Sequence, residues 1–586
     1  MLFSSTSGRG SSVLSFVGAG LMLASGASVS LAQVRVDVIA ARGLAVPGLP
    51  GVTFGPLGNN TPPYFSDAGT LAFTATLTGS VTQSDNSALF YGSIDTLDVL
   101  VREGDAAFAP VDAEVFNEPS SFLNLNNSGT LVFQAPLRTR AGSVDSTNDG
   151  TLWRVGTTTD LVAREGSSAS GIPSVNYGTL TTVPRIDGAG RVFFSSSLPV
   201  GPGGVTSAND NAIWLGTPGM LGILIREGSA APGFPAGINF ASYESVVSVN
   251  TAGQALIQAT TTTSTPLGVD STNNVGLWLG DAEALTLLAR RRSQAPGFDA
   301  GVVFSNSFSN FGSRVIDSAG NIAFTGVVSG PGISLGVNDV TLFFGTSSTL
   351  TAIAKRAEAV PGGGGATFFN YLNLAPDGAG RLYYIGTFQN ATSANDSAIM
   401  VYENNANAIV VREGDAAAGI DGATYGPLSN LSTNADGTVV FISDLVGLPD
   451  SENRAVYLKR RGEDPILLLR EGDAIEVAPG DVRTIGSTIG WRGSNAGQAS
   501  GDIGFNNAEE LAVRVVFTDA TDAFLLVRPG TDCPADFNGD GQADFFDYLD
   551  FVQAFSSDDP TADFNSDGQV DFFDYLDFAD AFNTGC

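Results

Sequence analysis

Histidine is absent from all 586 residues. That absence excludes every Ser-His-Asp triad, every Cys-His pair and every His-ligated metal centre. Cysteine is nearly as scarce. Cys533 and Cys586 are the only two and neither sits in a CxxC pair, which excludes zinc-ribbon and thioredoxin-like chemistry. Positive charge is also short: Lys+Arg number 28 against 60 Asp+Glu, a formal net charge of −32. Nucleic acid and anionic membranes both require a basic face, so neither is an expected partner. No segment after the N-terminus reaches the roughly 18 uninterrupted apolar residues of a spanning helix, so no membrane span is expected in the mature chain.

The N-terminus reads as an export signal. Arg9 is the only charge in the first 34 residues, an apolar stretch runs from about Val13 to Ala24, and Ser30-Leu31-Ala32 places small residues before a cleavage point at Gln33. Residues 1–32 are therefore expected to be a signal peptide, and the protein to be secreted or held at the cell surface. In an exported chain, Cys533 and Cys586 bracket one small segment and suggest a disulfide clasp worth about 4 kcal/mol. The alternative is two free thiols, with Cys586 as an attachment point.

Between the ends lies a tandem repeat. VREGDAA (101–107), AREGSSA (163–169), IREGSAAPG (225–233), VREGDAA (411–417) and LREGDAI (469–475) are copies of one string, with weaker copies at 40–48, 289–297 and 354–362. Its Arg column steps by 57 to 65 residues. A second string, Asn/Asp-x-x-Gly-x-x-x-Phe, recurs between them, as in NNSGTLVF (126–133) and DGAGRVFF (187–194), and an eighth copy at 506–513 has lost its glycine. A third, Asn-Asp, precedes apolar runs such as NDGTLW (148–153).

Each repeat thus holds four short β-type runs parted by Gly, Asn and Asp turns, the pattern of a propeller blade. The chain opens with a lone fourth-strand copy (34–43) and ends its repeats with three runs up to Val527. The N-terminal strand can therefore complete the last blade and close a ring of eight. The fold class expected over residues 33–530 is all-β, an eight-bladed β-propeller-like array. The rivals are an open array or a seven-bladed ring.

The motifs are read as structural before functional. Arg-Glu-Gly ends a strand, with Gly permitting the turn and Arg and Glu pairing with a neighbouring blade. The Asn-x-x-Gly and Asn-Asp strings cap turns. Trp153, Trp214 and Trp278 occupy equivalent positions and are expected to pack between blades. Arg290-Arg291-Arg292 is a basic cluster. No catalytic constellation stands out. The repeats resemble a bacterial family of secreted tandem-repeat proteins named for its NxxGxxAF motif, a family that implies no established activity.

Residues 531–586 differ. DFNGDGQADFFD (536–547) and DFNSDGQVDFFD (563–574) follow the spacing of calcium loops, in which alternate residues deliver oxygens to a hard cation. The ligands are expected to be Asp536, Asn538, Asp540, Gln542, Asp544 and Asp547 in the first loop, and Asp563, Asn565, Asp567, Gln569, Asp571 and Asp574 in the second, for two Ca²⁺. The glutamines would act through their carbonyls. A short amphipathic helix should follow each loop. The segment 533–586 carries 13 Asp and no Lys or Arg. The duplicate loops with Asp at position 12 resemble a dockerin, of a bacterial type ending in Gly-Cys. That resemblance implies docking to a cohesin-like module. Phe545-Phe546 and Phe572-Phe573 stand where small polar recognition residues are usual. The function expected is an exported binding or scaffold protein with a Ca²⁺-stabilised tail, its propeller taking a glycan or protein ligand. The alternative is a glycoside hydrolase or lyase with its active site in the channel.

Overall fold

The computed structural model describes residues 34–181, 183–244, 248–281, 283–306, 311–493, 504–530, 535–538, 543–565 and 568–584. The expected signal peptide, both cysteines, Asp540, Gln542 and Asp567 lie outside the described residues. The chain divides into two compact units. One is Ala40–Leu525; the other joins the two ends, from Leu526 onward and up to Ile39.

The repeats form eight antiparallel sheets, an eight-bladed β-propeller. Blades 1 to 7 span 52–102, 123–164, 185–226, 240–290, 303–355, 367–412 and 424–470. In each, sheet order follows chain order. Blade 8 takes its strands from 474–528, and its outermost strand is the N-terminal Arg35–Ala41, beside Asp522–Arg528. The eight-bladed expectation holds, and so does the N-terminal completion of the last blade.

First strands of neighbouring blades approach one another, as Leu123–Leu125 does Arg185–Ile186 and Thr367–Pro376 does Thr424–Thr433. They line the centre. The middle strands lie between sheets and are covered on both faces, so they read as unbroken apolar runs: Leu131, Val132 and Phe133 are all fully buried.

The core is built between blades. Trp153 shares a cluster with Tyr64, Ala72 and Leu89 of the preceding blade, and Trp214 with Val132 and Leu152. Trp278 packs with Phe193 and Ile213. Their indole N–H groups donate to Thr151 Oγ1, Ser170 O and Pro232 O. Each ring therefore combines a large apolar area with a satisfied polar edge, and truncation to Ala should cost roughly 3–5 kcal/mol.

The C-terminal unit holds two helices, α1 (Phe545–Ser556) and α2 (Phe572–Thr584). Asp544 caps α1, accepting from Phe546 N–H while Asp547 accepts from Asp544 N–H, a capping box. Phe551 and Phe578 stack face to face across the pair, 4.0 Å between centroids. Among the described residues no helix is long and apolar enough to cross a membrane.

Candidate functional site

The Asn-x-x-Gly turns join the first two strands of every blade. Their leading side chain accepts from the backbone N–H four residues on. The acceptors are Ser66, Asn126, Asp187, Asn250, Asp317, Asp377, Asn434 and Asn506. All eight are buried. The fourth residue takes a positive φ in each, Gly in seven and Glu509 (φ 61°) in the copy that lacks glycine. The turns also bond sideways. Asn127 Nδ2 donates to Asp67, Asn126 Nδ2 to Asp187 O, Arg191 to Ala252 O and Arg381 to Ala435 O. These groups hold the ring together and are committed to it.

The Arg-Glu-Gly strings are structural too, with one correction. The arginine does not reach a neighbouring blade. Arg102, Arg164, Arg226 and Arg290 donate through Nε to Asp85 O, Asn148 O, Asn209 O and Asn273 O of their own blade. Those carbonyls belong to the Asn-Asp hairpin loop, so the third string and the first form one clasp. The loop's Asn side chain closes it from within, as when Asn209 Oδ1 accepts from Thr206 N–H. The third position carries the chain into the next blade. Gly104, Gly166, Gly228 and Gly414 bond Phe116 O, Tyr177 O, Phe240 O and Tyr425 O, each with positive φ. Arg292 (φ 62°) and Ala357 (φ 66°) fill that place where glycine is missing. The triple arginine is therefore in register with the repeat, and Arg290 lies 4.0 Å above the Phe234 ring.

One feature near the centre breaks the repeat and went unseen in the sequence. Arg314 pairs with Glu244 at 2.6 Å, and Gln258 bridges them, donating to Glu244 at 2.7 Å and accepting from Arg314 at 2.9 Å. Burial pulls the Arg314 guanidinium down from its ordinary pKa and Glu244 opposes it. The three side chains bond one another across blades 4 and 5. No periodic signal marks residues that only one blade carries.

In the C-terminal unit, residues 27 apart form matching contacts. Phe551–Phe578 and Tyr548–Tyr575 (3.0 Å between hydroxyls) pair each residue with its own equivalent. Phe537–Phe551 at 5.3 Å matches Phe564–Phe578 at 5.5 Å, and Tyr548–Phe582 at 5.9 Å matches Phe555–Tyr575 at 6.0 Å. The unit therefore has an internal two-fold axis. Asp547 and Asp574 are fully buried. Asp547 accepts from Asn538 N–H (2.9 Å) and Asp544 N–H (2.8 Å), and Asp574 from Asn565 N–H (3.1 Å) and Asp571 N–H (2.7 Å). These donors hold the Asp574 carboxyl below its ordinary pKa. Each chain segment thus wraps its last acid. Gly568 takes φ 88° and donates to Asp563 at 2.8 Å. Among the described residues, three acids do not converge on one point. On the outer faces, Phe545, Phe546 and Leu549 are 65%, 63% and 45% exposed, and Phe572, Phe573 and Leu576 are 64%, 64% and 45% exposed.

A family model described as a family of unknown function (DUF7453) matches residues 28–408 and 404–528. No curated protein matches the chain. Among solved structures, the β-propeller domain of the Trilobed protease from Pyrococcus furiosus is 8% identical over 70% of this chain and 100% of its own, with a TM-score of 0.31. Polysaccharide lyase Uly1 is 9% identical over 86% and 100%, with a TM-score of 0.31. An α-L-arabinanase from Penicillium chrysogenum is 15% identical over 63% and 97%, with a TM-score of 0.23.

Proposed function

We propose a function from the premise that the chain belongs to the DUF7453 family, a family of unknown function. It is an exported binding or scaffold protein, and its C-terminal unit is a Ca²⁺-stabilised, dockerin-like attachment module. The observation that carries this reading is the internal two-fold of that unit, in which each acidic segment wraps a buried aspartate at the start of its helix. Two copies of one loop-and-helix motif, rich in carboxylates and without a cation of their own, suit two hard divalent ions. Asp536, Asn538, Asp540, Gln542, Asp544 and Asp547 would hold one, and Asp563, Asn565, Asp567, Gln569, Asp571 and Asp574 the other. All supply oxygen, the donor such an ion takes. Bound ions would offset the repulsion among the 13 aspartates.

The exposed Phe545-Phe546 and Phe572-Phe573 pairs support docking, since apolar pairs this open on a small unit mark an interaction surface. The partner is a cohesin-like or other cell-surface module. The propeller presents its loops to a glycan or protein. Its repeated motifs are spent on holding blades together, so ligand contacts fall to loop residues that vary between blades.

Calorimetry on the full chain tests the calcium assignment. Uptake of two Ca²⁺ per chain is expected, with loss of both in the Asp536→Ala/Asp563→Ala variant. A chain that takes up no Ca²⁺ would overturn it. A glycan array run beside turnover assays on the same preparation separates a binder from an enzyme.

A further inference from the structure

Two columns of the repeat face each other in every blade from 1 to 7. One is the last residue of the Asn-Asp string, the other the middle residue of Arg-Glu-Gly. The register is the same throughout. The middle residue's N–H bonds the carbonyl just after the first column, as Glu165 to Gly150 O, Glu227 to Asn211 O, Arg356 to Val340 O and Glu413 to Ser397 O. Blade 5 shows what the columns do when they carry opposite charges: Arg356 pairs with Asp339 at 2.9 Å, the aspartate buried and the arginine half-buried.

Blades 2, 3 and 6 carry an acid in both columns: Asp149 with Glu165, Asp210 with Glu227, and Asp396 with Glu413. In each pair the aspartate is a hydrogen-bonding neighbour of its glutamate, Asp149 of Glu165, Asp210 of Glu227 and Asp396 of Glu413. In blade 3, Asn211 Nδ2 donates at 3.1 Å to both Asp210 and Glu227. The groups around each glutamate are accounted for. Gly150 N–H and Leu180 N–H face Glu165, Asn211 and Tyr243 face Glu227, and Ser397 Oγ faces Glu413. The adjacent arginines are turned to backbone oxygens, Arg164 to Asn148 O, Arg226 to Asn209 O and Arg412 to Gly363 O. Two neighbouring carboxylates in a clasp that is half-buried or buried cannot both ionise at low cost.

We propose that these three carboxyl pairs each hold a shared proton, and that their deprotonation loosens blades 2, 3 and 6, so that the propeller is firmest in mildly acidic surroundings. Burial, with the partner acid adding to it, raises the pKa of Glu165, Glu227 and Glu413. A carboxyl raised on folding contributes stability below its unfolded value, and that contribution is lost as pH rises through the folded value. Glu165 also reaches toward the next blade by accepting from Leu180 N–H, so its loss falls at the joint between blades 2 and 3.

The test is the melting temperature of the full chain against pH at fixed Ca²⁺, between about pH 5 and pH 8. The wild type should melt several degrees higher at the acid end. A Glu165→Gln/Glu227→Gln/Glu413→Gln variant keeps a hydrogen bond where the proton sat. It should lose most of that dependence and match the acid-end value at the alkaline end. Glu227→Gln alone should remove about a third, which keeps the test open if the triple variant does not fold. Asp339→Asn, which breaks the ion pair of blade 5, should lower melting without changing the slope. An unchanged slope in the glutamine variants overturns the proposal. So does a rise in melting on adding Ca²⁺ at alkaline pH that these variants abolish, because the pairs would then be cation sites.

Discussion

Asn507 donates to Asp67 through both its backbone N–H and its side-chain amide, each at 2.9 Å, across 440 residues of sequence. Asp67 also accepts from Asn127 Nδ2 at 2.7 Å, and Asn507 Oδ1 accepts from Ala435 N–H at 2.9 Å. One carboxylate and one amide thus link the turns of blades 7, 8, 1 and 2. Arg492 reinforces the same seam, lying 3.6 Å above the Tyr64 ring and donating to Pro62 O at 2.8 Å. The ring is closed by side chains as well as by strand order.

Asp67→Ala should therefore cost more than an ordinary turn substitution. It strips three donors of their acceptor, and a loss of about 2 kcal/mol is expected, against about 1 kcal/mol for Asn127→Ala. A cycle with Asn507→Ala, read by urea unfolding, should give a coupling of at least ~0.5 kcal/mol. Strictly additive losses would show that the contact does not join the blades.

The N-terminal strand should matter in proportion to the edge it covers. Deleting Arg35–Ala41 leaves Asp522–Arg528 as an open edge and removes the partner of Arg42 N–H, Asp522 O, from any ordered register. Loss of cooperative melting or aggregation on heating is expected. Light scattering during the melt is the measurement, and a truncated chain that melts like the parent would refute the closure.

Much of this was legible because turns have a chemistry that repeats. Asn or Asp accepting from the chain, with Gly at positive φ, marks a strand junction wherever it occurs, so eight junctions announce eight blades. Even the copy that lost its glycine keeps Asn506 and the same backbone shape at Glu509. The partner of each motif arginine was not legible. Neither was the facing of Asp149 and Glu165. Both depend on the register between third and fourth strands, and that register carries a bulge in blade after blade, as between Leu161 and Ala163 or Ile213 and Trp214. A one-residue shift turns a side chain to the opposite face. The Glu244–Arg314 pair was hidden for the opposite reason, since it occurs once.

Ala357 offers a clean measure of backbone strain. It holds φ 66° at the place where other blades carry glycine. Its N–H bonds Phe368 O, a bond that glycine retains. Ala357→Gly should stabilise the propeller by about 0.5–1 kcal/mol, the reverse of the usual glycine penalty. Melting temperature compared with that of Gly414→Ala, which should fall by more because a Cβ there would also meet Ala394 O at 2.7 Å, checks both signs in one experiment.

The C-terminal unit makes the last prediction. Asp547 and Asp574 each close a loop and start a helix, so under the proposed Ca²⁺ assignment their loss should be felt by the metal and the fold together. With Ca²⁺ present, Asp547→Asn should weaken one site and leave the other, because the two-fold places each aspartate in its own segment. Acid should act in the same direction. Backbone donors hold the Asp574 carboxyl low, so its contribution is present above the unfolded pKa and fades as pH falls through the folded value. Phe551→Ala tests the other half of the arrangement. The Phe551–Phe578 stack buries each ring face to face against its own equivalent. Removing it should cost roughly 3–5 kcal/mol and weaken both calcium sites together, whereas Asp547→Asn weakens one. Calorimetric titration of the full-length variants reads both effects. Equal weakening of both sites by Asp547→Asn would mean that the two loops do not bind as separate units.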